Sequence, residues 1–229
     1  ERKVKIDNCK ICEVSETDRH KSFEGPSCTQ KLCEFLFTFG PAQVDRTCKK
    51  PKVLYHSTAI AHNAQGFDLY FIMEEMIKQG IIPDGVIRRG GKILYMTRRS
   101  KHIRFIDSLN YLAMPLSKMP STFNLPAPKG MFPHFFNTPE NQSYVGPIPD
   151  PHFYGADTMM PKSREEFLKW HVEQVQSDYV FDFQKELREY CRLDVQILQD
   201  SCVEFRRLFM ELTSLPHYAG IDPLKHCIT

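Results

Sequence analysis

The longest helical pattern in the chain runs from Asp182 to Leu212 and reads DFQKELREYCRLDVQILQDSCVEFRRLFMEL. Residues three and four apart along it form an apolar stripe, with the period that the buried face of a helix needs. The stripe consists of Phe183, Leu187, Tyr190, Asp194, Ile197, Ser201, Phe205 and Leu208. The pattern predicts one long helix that packs against the core through this stripe.

One carboxylate, Asp194, lies in the middle of the stripe. Burying an ionised Asp without a partner is costly, so the position calls for a basic partner or a metal ion. Tyr190, one turn earlier, projects its hydroxyl from the same face. The helix alone leaves two interpretations open: Asp194 pairs with an Arg while Tyr190 only packs, or the two residues belong to a metal site.

Length and composition are those of a globular protein. The chain has 229 residues, 41% of them hydrophobic, which is enough for one large domain or two small ones. No apolar run approaches the roughly 20 residues that a membrane span requires, and the first residues lack the apolar segment of a signal peptide. We therefore expect no membrane association and no secretion. The missing initiator Met leads us to expect a fragment.

Charge does not identify a partner. The net charge is only +2, and local basic clusters occur at Arg88–Arg89 and around Arg98 to Arg104. Such clusters are more often a solvated hairpin face than a track for phosphates.

Cysteines concentrate in the first fifty residues, which we expect to form a Cys-rich insertion, 1–52. The first pair is Cys9-x2-Cys12, and the second is Cys28-x4-Cys33 after fifteen intervening residues. The first pair suits a structural zinc site, but the second is wider than usual, so His20 or Cys48 would be a substitute ligand. The alternative is that these thiols pack or stay free.

The segment from Val53 to His62 is rich in β-branched residues and predicts a strand, and residues 69–79 have helical periodicity before Gly80. Asp68 therefore lies at a strand-to-helix junction. It is either an N-cap or part of a ligand site, because ligand sites in α/β folds favour the carboxyl ends of strands. His62, Asn63, Gly66 and Phe67 cluster at the same end.

Further elements are predicted downstream. Residues 86–99 predict a hairpin that turns at Gly90-Gly91, and residues 102–112 predict another strand with Asp107, Ser108, Leu109 and Asn110 at its end. Leu125 to Met160 forms no periodic element, which favours a functional loop or a surface wrap. Ser163 precedes Glu166 in a capping-box arrangement and predicts a helix start there.

The chain contains two short motifs, Asn-x3-Phe-Asp at Asn63 to Asp68 and, further along, Tyr-x3-Asp at Tyr190 to Asp194. They resemble the second and third exonuclease motifs of family B DNA polymerases. The stretches AHNAQGFDLYFI, FIDSLNYLAMPLSKMPSTF, KGMFPHFFNTPENQSYVGPIPD and VFDFQKELREYCRLDVQIL resemble the protein-primed organellar and viral branch, closest to the polymerases of Maverick/Polinton transposons. The resemblance covers the chain from about Ala59 to its end.

The resemblance implies an α/β fold: a ribonuclease H-like 3'–5' exonuclease domain with a mixed sheet flanked by helices, incomplete at its N-terminus. It would occupy residues 53–215, and residues 216–229 would begin the link to a polymerase domain. Such a domain removes mispaired 3'-terminal nucleotides with two divalent cations, Mg²⁺ or Mn²⁺.

The family's roles carry over to matching positions. Asp68 and Asp194 would hold the metal ions, Tyr190 would orient the attacking water, and Lys129 would lie near the scissile phosphate. The expected contacts with the single-stranded 3' end are His62, Asn63, Phe67, Ser108 and Leu109. The implied partners are that DNA end and a terminal priming protein. The implied location is intracellular, in the nucleus or a virus factory.

The chain departs from the family pattern at one point. The first exonuclease motif, Asp-x-Glu, occurs nowhere in the 229 residues. We therefore expect that this chain alone does not cleave DNA. The alternative from another class is an inactive nucleic-acid-binding relic or a zinc-containing module.

Overall fold

The computed structural model describes residues 20–38, 44–45, 52–53, 57–126 and 130–226. The fold is α/β. The strands are β1 Val44–Asp45, β2 Lys52–Val53, β3 Ser57–Ala61, β4 Gly85–Arg89, β5 Lys92–Arg98, β6 Ile103–Asp107, β7 Val145–Pro147 and β8 Val180–Asp182. The α-helices are α1 Cys28–Thr38, α2 Asp68–Lys78, α3 Met119–Thr122, α4 Pro161–Gln176, α5 Phe183–Leu212 and α6 Pro223–His226. No helix in the described ranges is long and apolar enough to cross a membrane.

The chain divides into two compact units. The first contains Glu1–Met114 and Ile221–Thr229, and the second contains Pro115–Gly220. The domain boundaries predicted at 52/53 and 215/216 stay predictions.

The first unit is built on a four-stranded mixed sheet of order β3-β6-β5-β4. β3 and β6 are parallel, and the other neighbours are antiparallel. The β4–β5 hairpin turns at Gly90-Gly91 as predicted, and Gly90 has a φ of 58°, which glycine adopts without steric cost. The mixed sheet agrees with the α/β part of the predicted fold class, and the ribonuclease H-like assignment stays a prediction.

The core of the first unit lies between this sheet and the helices α1 and α2. Leu69, Ile72 and Met76 of α2 pack against Phe105 of β6, following the helical spacing seen in the sequence. Cys33 of α1 is fully buried in the same cluster. The described part of the Cys-rich segment therefore contributes to this core.

The second unit has a core of aromatic rings. Phe132 and Phe136, from the segment 125–160 that has no periodicity, pack with Phe181 and Phe183. β7 pairs with β8 antiparallel, so this segment is tied to the strand that leads into α5. The described part of this segment, 130–160, is built from short 3₁₀ turns, β7 and ring contacts, which periodicity does not reveal.

α4 starts earlier than predicted. It begins at Pro161, and its N-cap residue Met160 forms no side-chain cap. The capping-box prediction at Ser163 was wrong because a proline at the first helical position already has the φ that a helix requires.

α5 agrees with its prediction at both ends. The side chain of Asp182 accepts the Lys185 N–H at 3.1 Å and caps the helix. Phe183, Ile197 and Ser201 are buried as the stripe predicted. Leu208, however, is 38% exposed, so the stripe does not stay buried to the end of the helix.

Candidate active site

The parallel strands β3 and β6 end side by side. Ala61, the last residue of β3, pairs with Asp107, the last residue of β6. Because parallel strands point the same way, the residues that follow them emerge at the same edge of the sheet. His62 and Asn63 follow β3, and Ser108 follows β6, so predicted DNA contacts from two segments lie together.

Asp107 organises this edge. Its side chain is fully buried, and its carboxylate accepts three backbone N–H groups, from Asn63, Gln65 and Leu109, each at 2.9 Å. Hydrogen bonds to a charged acceptor are strong and leave this buried carboxylate satisfied. The sequence marked Asp107 only as the residue at a strand end. Its bond to Leu109, two positions on, is a local Asx pattern, but the other two partners are more than forty residues away.

His62 and Ser108 are joined side chain to side chain. The Ser108 hydroxyl donates to the carbonyl of Ala61 at 3.1 Å, and His62 Nδ1 lies 3.0 Å from the Ser108 Oγ. Because a serine hydroxyl has one proton, and the carbonyl of Ala61 can only accept it, we assign the imidazole as the donor in the bond to Ser108. On this assignment, the neutral ring of His62 carries its proton on Nδ1, and Nε2 is the acceptor.

The turn between β3 and α2 exposes an aromatic ring. Asn63 adopts a left-handed conformation with φ of 60°, and a 3₁₀ turn, Ala64–Gly66, follows it. Phe67 comes next and is 61% exposed. An exposed ring beside a strand end offers a face on which a base can stack.

Asp68 is the first residue of α2. The N-cap is Phe67, so the interpretation of Asp68 as the N-cap was wrong. Asp68 as a whole is exposed to solvent, but its carboxyl group is partly surrounded by protein atoms. This burial raises the pKa of the Asp68 carboxyl above its ordinary value. A hydrogen bond from its own backbone opposes this rise, and the negative charge of Asp107 adds to it.

A divalent cation suits this environment. The Asp68 carboxylate is a hard oxygen donor held near a second negative charge, and a cation beside it would favour the ionised form. Asp68 could therefore bind a cation in the first unit, and its role as a metal ligand stays a prediction. Within the described ranges, no group of three or more His, Cys, Asp or Glu side chains is arranged to hold a metal ion.

Two further predicted catalytic residues that the structure describes, Tyr190 and Asp194, lie on α5 in the second unit. The ring of Tyr190 packs against Phe132, with centroids 5.2 Å apart, and edge-on against His134, also at 5.2 Å. Asp194, one turn later, is half-buried. Burial and, second, the negative charge of Asp194 raise the pKa of the Cys191 thiol. Lys129 lies outside the described residues.

The predicted zinc site is only partly described, since Cys9 and Cys12 lie outside the described residues. Cys28 and Cys33 are five residues apart on α1, which separates them by about 140° around the helix axis. Burial, followed by the charges of Glu75 and Glu34, raises the pKa of the Cys33 thiol to about 11. The zinc site stays a prediction, and the helix does not bring these two thiols together.

Comparison with known proteins identifies the family. The family model for DNA polymerase type B, organellar and viral, matches residues 54–217. The chain is 31% identical over 159 residues to a probable DNA polymerase of Ascobolus immersus, covering 64% of this chain and 13% of the relative. It is 33% identical over 166 residues to a probable DNA polymerase of Neurospora intermedia, covering 66% of this chain and 16% of the relative. No solved structure matches the chain.

The chain thus spans about a seventh of the length of these relatives. The resemblance to the protein-primed organellar and viral polymerases is confirmed at the level of the family, while the narrower link to Maverick/Polinton elements stays a prediction. The chain belongs to the organellar and viral type B DNA polymerases.

Proposed function

We propose that this chain is the 3'–5' exonuclease region of a type B DNA polymerase, with a ribonuclease H-like domain over residues 53–215 and a link to a polymerase domain over residues 216–229. The observation that carries the proposal is the edge of the sheet held together by Asp107. Residues predicted from two distant motifs to contact DNA meet there, next to the start of the helix that bears Asp68.

The ligand of this edge is the single-stranded 3' end of DNA. Phe67 supplies an exposed ring for stacking on a base, which contributes about 1 to 3 kcal/mol per base in single-strand binding. Asn63, His62, Ser108 and Leu109 supply polar and apolar contacts around it. A duplex end has its terminal bases stacked and paired, so a frayed end is preferred.

Asp68 and Asp194 would hold divalent cations, Mg²⁺ or Mn²⁺, which when bound supply Lewis acidity to the attacked phosphate and lower the pKa of the attacking water. The Tyr190 hydroxyl would orient that water. The contacts of the Tyr190 ring with Phe132 and His134 limit the directions in which this hydroxyl can point. Lys129 offsets the negative charge that develops on the scissile phosphate.

In the parent protein, we place this region ahead of a polymerase domain that starts synthesis from a terminal priming protein, within the cell, in the nucleus or a virus factory. The family match supports the polymerase domain of the parent protein, whereas the priming protein and the location rest on the sequence resemblance alone.

The test combines binding and hydrolysis on the whole 229-residue chain. Mn²⁺ should first broaden the NMR signals of Asp68 and its neighbours at the start of α2. Asp68→Asn should abolish this broadening, and Glu74→Gln, which changes an exposed carboxylate paired with Lys78 on the same helix, should not. A labelled oligonucleotide should bind more tightly as a single strand than as a blunt duplex.

We expect no hydrolysis of that oligonucleotide by this chain, because two carboxylates do not position two metal ions and Asp-x-Glu is absent from its residues. Equal affinity for single strand and duplex, together with Mn²⁺ broadening elsewhere, would overturn the exonuclease proposal. Single-strand preference without metal binding at Asp68 would instead indicate a binding module.

A further inference from the structure

The second unit contains a cleft of about 230 Å³, and of its lining residues the proposed function uses only Tyr190. Its aromatic wall includes Trp170, Tyr154 and Tyr179, and its carboxylates are Glu186 and Glu189. The cleft is smaller than the roughly 300 to 1,000 Å³ of typical small-molecule pockets. It has the size to accept a single side chain.

The aromatic wall is held in place by packing. Trp170 and Tyr154 meet nearly edge-to-face, with centroids 5.9 Å apart and planes at 73°. Both rings rest on Phe167, which is fully buried, at 5.7 Å and 5.1 Å. A ligand that stacks on Trp170 therefore meets a preformed surface and pays little ordering entropy.

Glu186 gives the cleft its negative charge. Its carboxylate accepts a hydrogen bond from the Tyr179 hydroxyl. Burial, then this bond and the charge of Glu186, raise the pKa of Tyr179 to about 12, so Tyr179 remains a neutral donor at physiological pH. Burial and, second, the charge of Glu186 raise the pKa of Tyr154 as well.

Glu189 is compensated differently. Arg192 contacts its carboxylate at 2.6 Å and 2.9 Å in an exposed ion pair on α5. Within the described residues, Glu186 accepts its hydrogen bond from the neutral hydroxyl of Tyr179 and not from a cation. The negative charge that faces the aromatic wall is therefore that of Glu186.

We infer that this cleft binds the guanidinium of an arginine side chain on a protein partner. An arginine stacks its planar cation on a tryptophan face and offers several N–H donors to a carboxylate. Charge complementarity selects this occupant over DNA, because a phosphate brought beside Glu186 would meet a like charge. Tyr190 and Leu193 of α5 also line the cleft, so the bound arginine would lie beside the residue proposed to orient the attacking water.

Trp170 provides the readout, because it is the single tryptophan in the chain. Its indole N–H gives one distinct NMR signal, which we would follow while adding N-acetyl-arginine amide, N-acetyl-lysine amide, spermidine or thymidine monophosphate. We expect a saturable shift with the arginine derivative, a weaker one with the lysine derivative and spermidine, and none with the nucleotide.

Two variants test the role of the carboxylate in opposite directions. Glu186→Gln should weaken binding of the arginine derivative about tenfold, since a charge-assisted hydrogen bond is lost. Tyr179→Phe should tighten binding, because the carboxylate loses its competing donor. Glu165→Gln, an exposed carboxylate on α4 outside the cleft, is the matched control and should change nothing.

Circular dichroism melting would establish that each variant is folded. Equal affinity of the parent and folded Glu186→Gln chains would overturn the inference. So would a shift with the nucleotide as large as that with arginine, which would assign the cleft to DNA, or tighter binding of spermidine, which would assign it to a small cation. None of these results depends on metal binding at Asp68, so they leave the exonuclease proposal independently testable.

Discussion

The carboxylate of Asp107 holds the backbone N–H of Asn63 at 2.9 Å, although 44 positions separate the two residues in the chain. Asn63 is in a left-handed conformation that non-glycine residues adopt rarely. The bond therefore fixes an unfavourable backbone conformation at Asn63, four residues before the exposed ring of Phe67. Through this contact, a fully buried side chain sets the position of surface groups proposed to bind DNA.

Asp107→Asn should destabilise the first unit by about 2 to 4 kcal/mol, because an amide cannot replace a carboxylate that accepts three N–H bonds at a fully buried position. Chemical denaturation of the whole chain measures this loss. Asp157→Asn, at an exposed position in the second unit, is the control and should stay close to the parent protein. A denaturation midpoint unchanged by Asp107→Asn would contradict the role of the carboxylate.

Phe67→Ala should weaken binding of a single-stranded oligonucleotide by about 1 to 3 kcal/mol, the usual contribution of one base stacked on an aromatic ring. Because Phe67 is 61% exposed, the melting temperature should hardly change. Ile77→Ala is a matched control, since Ile77 is 60% exposed at the far end of α2. Fluorescence anisotropy would measure both affinities, and equal losses in the two variants would rule out stacking on Phe67.

Local patterns were sufficient for much of this fold. The helix from Asp182 onwards and the turn at Gly90-Gly91 follow from residues close together in the sequence, namely a cap, an apolar period and two glycines. The predicted junction at Asp68 was also located correctly, since α2 begins there. Such features depend on neighbours within a few positions.

Contacts between residues far apart in the chain could not be predicted from these local patterns. The three amides bound by Asp107 belong to two segments, and no period in the sequence connects them. The described residues 130–160 are held by rings such as Phe132 and Phe136, whose partners Phe181 and Phe183 come about 45 to 50 residues later. A single sequence indicates that these residues are apolar, but it does not indicate which rings meet.

Asp68→Asn should raise the melting temperature at pH 7 when no divalent cation is present. The pKa of Asp68 is raised above its ordinary 3.8, so folding favours the protonated form. The stability that this group contributes is fully present below pH 3.8 and is lost as the pH rises through the folded-state pKa. The gain in melting temperature from Asp68→Asn should therefore disappear below pH 3.8. At pH 7, adding Mg²⁺ should make this gain smaller. A less stable Asn variant at pH 7 would contradict the direction of the shift.

Ser108→Ala should change the protonation pattern of His62. In the parent protein, Nδ1 donates to the Ser108 hydroxyl, so the neutral ring carries its proton on Nδ1. Long-range ¹H–¹⁵N correlation spectra distinguish the two tautomers. Without the hydroxyl, we expect a shift toward the Nε2-protonated form. His152, which contacts Asp150 in the other unit, provides an internal reference whose spectrum should not change. Finding Nε2 protonated in the parent protein would reverse the assigned bond.

Asp178→Gly should stabilise the second unit by about 1 kcal/mol, because Asp178 follows the end of α4 with a φ of 50°. Glycine adopts this left-handed conformation without a Cβ clash. The substitution also removes a negative charge from the carboxyl end of a helix, where the dipole disfavours it. Ser177→Gly is the control: Ser177 has an ordinary φ of −86°, so there the added backbone freedom should lower stability. Denaturant unfolding followed by the fluorescence of Trp170 on α4 measures both changes, and a loss of stability in Asp178→Gly would contradict the assigned helix end.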